Sequence, residues 1–76
     1  MSLRRTGDPN LYLASRGRRR FEVRLHGPDD ERGYPRGWAV QELTRKDSYG
    51  QWVSPVADGL RTLREARNVL AGEASR

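Results

Sequence analysis

The stretch "RRRFEVRLH", Arg18 to His26, decides the fold. Phe21, Val23 and Leu25 alternate with Arg20, Glu22, Arg24 and His26, giving one apolar face and one polar face. That period of two predicts a half-buried strand in an antiparallel sheet, with Phe21, Val23 and Leu25 towards the core. Just upstream, Arg16-Gly17 supplies a tight turn, and "LYLAS", 11–15, is a short candidate strand. Residues 1–10 carry Arg4 and Arg5 with Gly7, Asp8 and Pro9 but no periodicity, and read as a flexible basic arm.

Downstream, "GPDDERGYPR", 27–36, is dense in Gly, Pro and acid and reads as a loop. "GWAVQELTR", 37–45, is the next strand; Trp38 and Val40 share a face, while Leu43 breaks the alternation and signals a bulge. "KDSYG", 46–50, is turn chemistry, and "QWVSPV", 51–56, returns as a strand. Pro55 has no N–H for a ladder, so this strand lies at an edge or ends there. The hairpin predicts Trp38 close to Trp52.

Thr62 followed by Glu65 is a capping box, with Leu63, Ala66, Val69 and Leu70 on one helical face and Arg61, Arg64 and Arg67 towards the other. Gly72 is placed to end that helix, with 73–76 as a frayed tail. The expected architecture is α+β: a small antiparallel meander of three to four strands (11–15, 18–26, 37–45, 51–56) packed on one C-terminal helix (62–71), within a single domain over 11–72.

A chain of 76 residues buries only about 60% of the surface it exposes when unfolded. It has room for one sheet and one helix and none for a separate substrate domain. There is no cysteine, which excludes disulfides, thiolate nucleophiles and Cys-based zinc sites and fits a reducing, cytoplasmic setting. No apolar run approaches the roughly 20 residues of a membrane span, and "MSLRRTGDPN" lacks the apolar core of a secretory signal.

The net charge of +5 is unevenly placed. Residues 1–24 hold seven arginines against Asp8 and Glu22, a surplus of five; residues 25–76 hold eight basic and eight acidic residues and balance. Of the fifteen basic residues only Lys46 is not arginine. Arginine makes bidentate contacts with phosphate and guanine, which favours nucleic acid. A GC-rich coding sequence gives the same bias with no function behind it.

Catalysis has little to stand on. His26, the single histidine, lacks a sequence partner to position it as a general base and reads as a lone surface side chain. Ser15, Ser48 and Ser54 lack a nucleophile-elbow context. Asp29-Asp30-Glu31 lacks the alternating spacing of a calcium loop and reads as a solvated loop. An enzyme, a cofactor and a metal are not expected.

Binding has more. Arg16, Arg18, Arg19 and Arg20 surround a hairpin turn where side chains fan onto phosphates, and Arg24 continues along the outer strand face. The alternative is that these arginines only discourage sheet-to-sheet association. The tryptophans have two readings also: a core pair, or exposed rings for bases or a protein partner. Tyr34 and then Tyr49 are the aromatics placed to be exposed.

From Trp38 on, a strand opening with Trp, an Asp47 to Gly50 turn, a second strand ending at Gly59-Leu60 and Thr62-x-x-Glu65-Ala66 at a helix start follow in order. Over residues 37–71 this resembles the AP2-like, arm-type DNA-binding domain of phage and transposon tyrosine recombinases. The resemblance implies a three-stranded sheet backed by a C-terminal helix, with the sheet in the major groove. It makes Thr62, Glu65 and Ala66 helix-start residues and Trp38 a core or strand-start residue, none of them a DNA contact. The matching last strand, "QWVSPVAD", has no basic residue, so contacts would move to Arg18–Arg24 and to Arg45 and Lys46 at the hairpin turn.

The expectation is thus a small non-enzymatic module from a mobile element that binds duplex DNA mainly through phosphates, using Arg16, Arg18, Arg19, Arg20, Arg24, Arg45 and Lys46. The alternative is a protein-interaction module, an accessory or inhibitor docking on an acidic partner through the same face or pairing through an edge strand, with homodimerisation included. No membrane partner is expected.

Overall fold

A computed structural model of the chain describes residues 2–27, 33 and 35–75. Five strands and one helix follow in order: β1 (Arg4–Arg5), β2 (Leu11–Arg16), β3 (Arg19–His26), β4 (Gly37–Asp47), β5 (Gly50–Leu60) and α1 (Leu63–Ala74). The strands form one antiparallel sheet in sequence order, β1-β2-β3-β4-β5. This is the expected α+β class with one more strand. Its loop acids Asp29, Asp30 and Glu31, and Tyr34, lie outside the described residues.

The extra strand comes from the segment read as an arm: Arg4 pairs with Leu13 and Arg5 with Tyr12. Local polar chemistry turns the chain to make this possible. Asp8 Oδ1 accepts from the Asn10 amide at 2.9 Å, and Thr6 Oγ1 accepts from the Asp8 amide at 3.1 Å. These are the turn-stabilising bonds that Asp and Thr side chains form with nearby backbone.

The β2–β3 turn is Gly17-Arg18, with Arg16 opposite Arg19. Gly17 has φ +59° and no non-glycine residue among those described has positive φ, which matches a type II′ turn with glycine first. At the far end of β4, Gly37 has φ +128°, and a Cβ there would lie 2.5 Å from the Leu60 carbonyl oxygen. Only glycine lets β4 and the end of β5 close so tightly.

Register shifts separate Trp38 from Val40, Val40 from Gln41 and Leu43 from Arg45 in the β4–β5 ladder. The last is the bulge foreshadowed by Leu43. Pro55 sits in β5 opposite Gln41, and β5 is an edge strand, which tolerates its missing N–H. The strand continues past Pro55 to Leu60.

Phe21 and Val23 of β3, Ala14 of β2, Val40 of β4 and Ala66 and Leu70 of α1 form the buried core, so the helix covers the Phe21 face of the sheet. Each of the larger side chains contributes about 1.5–3 kcal/mol by leaving water. Leu25 departs from expectation, with 37% of its surface exposed. The register puts it opposite Trp38, one pair beyond Val23–Val40 and outside the buried cluster. Trp38 and Trp52 are not neighbours, because each strand of the hairpin has eleven residues. Trp38 pairs with Leu60 at the open end and packs on Tyr12 at 5.9 Å, while Trp52 pairs with Arg45 near the turn.

Thr62 caps α1 by accepting from the Glu65 amide at 3.2 Å, and Glu65 Oε2 accepts from the Arg61 amide at 3.0 Å. The helix runs through Gly72 to Ala74, past the expected stop. Ser75 Oγ donates back to the Ala71 carbonyl and Arg19 grips Glu73, so a local bond and a tertiary one together outweigh the cost of glycine.

Candidate functional site

Alternation along the ladders sorts the basic residues between two faces. On the face away from the helix, Ser15, Arg20, Leu43 and Val53 form one row and Leu13, Glu22, Gln41 and Pro55 the next. Arg4 stands beside Leu13 on this open face, Arg24 one pair further along, and Lys46 with Gln51 towards the β4–β5 turn. Arg18 occupies the β2–β3 turn at its margin.

Arg20, Arg18, Arg4 and Lys46 are exposed and have no ion-pair partner among the described residues. Arg4, Arg18 and Arg20 converge on a single recess at this end of the sheet, with Leu13, Phe21 and Leu43 among its lining. Arg24 is different: its Nε donates to Glu22 Oε1 at 3.1 Å, and Gln41 Nε2 donates to the same oxygen at 2.7 Å. Its charge is largely offset within the face.

Arg19 shares its parity with Phe21 and therefore points to the helix side. Its Nε and Nη2 donate to the two carboxylate oxygens of Glu42 at 3.1 and 2.9 Å. Nη1 reaches the Glu73 carbonyl at 3.0 Å and Nη2 reaches Glu73 Oε2 at 2.9 Å, while the guanidinium lies 4.9 Å over the Phe21 ring. The hydrogen bond to Glu42 does most to raise Arg19 above the usual arginine value, with Glu73 next. The same bond holds the Glu42 carboxyl below its usual value. This arginine fastens the β2–β3 hairpin to β4 and the end of α1, and four of its five N–H donors are engaged in doing so.

Arg16, opposite Arg19, is exposed on the helix-side face at the end of β2. Arg45 also lies on that side, stacked 4.7 Å over the Trp52 ring. Its Nε is 3.8 Å from Asp47 Oδ2, which accepts from Trp52 Nε1 at 2.8 Å. Of the seven arginine and lysine positions singled out from sequence, only Arg20, Arg24 and Lys46 share the open face; Arg18 borders it. Arg4 belongs with them and was assigned to the arm; the Thr6, Asp8 and Asn10 turn chemistry is the signal that places it.

His26 is buried at 6% exposure rather than lying on the surface. It pairs with Gly37 at the end of β3 and lines a recess with Arg36, Trp38 and Arg61. Arg61, Arg64 and Arg67 are exposed, as a solvated helix face requires. Among the described residues no group of three or more His, Cys, Asp or Glu side chains is placed to hold a metal ion. No described helix is long and apolar enough to cross a membrane. The chain matches no protein-family model, no curated protein and no solved structure.

Proposed function

We propose that the chain is a non-enzymatic DNA-binding module that lays the open face of its sheet along duplex DNA. Arg4, Arg18, Arg20 and Lys46 hold phosphates, and Ser15 and Gln41 lie between them as polar groups for further contacts. One observation carries this reading: Arg4, Arg18, Arg20 and Lys46 stand without ion pairs among the described residues, while nearby acids are engaged by other side chains. Glu42 and Glu73 are engaged by Arg19 across the sheet, and Glu22 by Arg24 and Gln41. A face kept basic in this way costs some self-repulsion, which an anionic partner relieves.

The layout of a meander backed by a C-terminal helix accords with the resemblance to recombinase arm-type domains, and a mobile-element origin is part of the proposal. With four phosphate contacts, log K should fall against log salt with a slope of about −3 to −4. Titration of a labelled duplex across salt concentrations tests this; absence of binding at low salt sinks it.

A rival reading has its own supporting observation. β5 is eleven residues long and lies at the sheet edge, where a strand of a protein partner or a second copy can pair. Pro55 and the register shifts break that edge, so the open face is the favoured surface. Size-exclusion chromatography beside the DNA titration separates the two: a stable dimer with no DNA affinity favours the rival.

A further inference from the structure

The β4–β5 hairpin outruns the rest of the sheet. β3 pairs with β4 only as far as Leu43, opposite Arg20; beyond it Arg45, Lys46 and Asp47 pair solely with Trp52, Gln51 and Gly50. No residue from Thr44 to Trp52 is buried. An isolated two-stranded ribbon is at best marginally stable in water. This one is held by its own polar clamp instead of a core. Trp52 Nε1 and the Tyr49 amide both donate to the Asp47 carboxylate at 2.8 Å. Gln51 Nε2 bridges the Arg45 and Trp52 carbonyls at 2.8 Å each, and the Arg45 guanidinium covers one side of the Trp52 ring.

That clamp presents Tyr49 at the tip, 90% exposed, and its hydroxyl forms no hydrogen bond among the described residues. Lys46, on the same ribbon opposite Gln51, is exposed and has no ion pair among the described residues. Asp47, the acid of this ribbon, is already engaged by Trp52 and Arg45. An exposed aromatic ring at the tip of a ribbon that also carries Lys46 matches a nucleotide, with a base to stack and a phosphate to neutralise. Bases inside an intact duplex have both faces covered, so a ring at a ribbon tip can stack only on a base that is out of the helix.

We infer that the β4–β5 ribbon is a stacking arm that captures an unpaired base in DNA through Tyr49, beside the duplex held by the open sheet face. This rests on the DNA-binding reading and narrows its substrate to duplex interrupted by an unpaired nucleotide, as at a bulge or a strand junction.

The test compares two duplexes that carry 2-aminopurine at the same position, once fully paired and once as a single-nucleotide bulge. The wild-type chain should bind the bulged duplex about five- to tenfold more tightly and quench its fluorescence, the effect of one base–aromatic stack. Tyr49→Ala should bring the ratio of the two affinities to about one, and Tyr49→Phe, which keeps the ring, should restore it. Equal affinity of the wild type for both duplexes overturns the inference while leaving DNA binding standing, as does a preference that survives in Tyr49→Ala. Binding to neither duplex overturns the DNA-binding reading and this inference together.

Discussion

Arg19 and Arg20 are consecutive in sequence and opposite in fate. Arg19 points to the helix side, where two carboxylates and a carbonyl accept from its guanidinium and the Phe21 ring lies beneath it. Arg20 points to the open face, in a row with Ser15, Leu43 and Val53 and without an ion pair among the described residues. A strand turns alternate side chains to opposite faces, so one peptide bond separates a structural clamp from a candidate ligand contact. The lesson is that a basic cluster in sequence is not a basic patch in space. The charge available to a partner is what remains after the fold has used its share.

This contrast can be broken from either side. The largest expected effect lies on the covered face: Phe21→Ala should cost about 3–5 kcal/mol, read from urea or thermal denaturation, a large part of the stability of so small a domain. Next comes the open face. The triple substitution of Arg18, Arg20 and Lys46 by Ala should flatten the salt slope of DNA binding by about three while the melting temperature hardly moves. Arg19→Ala should do the opposite, lowering the melting temperature and leaving the salt slope in place.

Two smaller effects sharpen the picture. Thr62→Ala removes the acceptor for the Glu65 amide and should cost about 1 kcal/mol by the same denaturation measurement. The last is a pH effect. Glu42 is held below its usual carboxyl value by the hydrogen bond from Arg19, so the folded state binds its proton less readily than the unfolded chain. Its contribution is present above the unfolded value of 4.5 and lost as pH falls through the lowered folded value. Stability measured against pH should therefore decline more gently below that point in Arg19→Ala than in the wild type.

What sequence could reveal was whatever local chemistry fixes. The alternation of Phe21 and Val23 set the core strand, Thr62 and Glu65 set the helix start, Leu43 marked a bulge and Pro55 marked an edge. Features that depend on distant partners were hidden. Arg19 meets Glu42 and Glu73 across 23 and 54 residues, and nothing near "SRGRRRF" announces either. The extension of α1 past Gly72 depends on the same pair. Trp38 and Trp52 part company because the length of the hairpin, and not its turn residues, decides which positions face each other. At the open face, alternation placed Arg20 and Arg24 correctly, while the tether from Arg24 to Glu22 and the arrival of Arg4 depended on side-chain geometry and on a two-residue strand too short to carry a pattern.

On the proposed function, the open face, and not the arginine cluster as a whole, binds DNA. The most direct test is the salt dependence of duplex binding measured side by side for the wild type, Arg19→Ala and Arg20→Ala. Arg20→Ala should weaken binding and reduce the slope by about one, while Arg19→Ala should keep the wild-type slope at temperatures where it is folded. Equal slopes for all three chains, or a loss in folded Arg19→Ala matching that in Arg20→Ala, would contradict it.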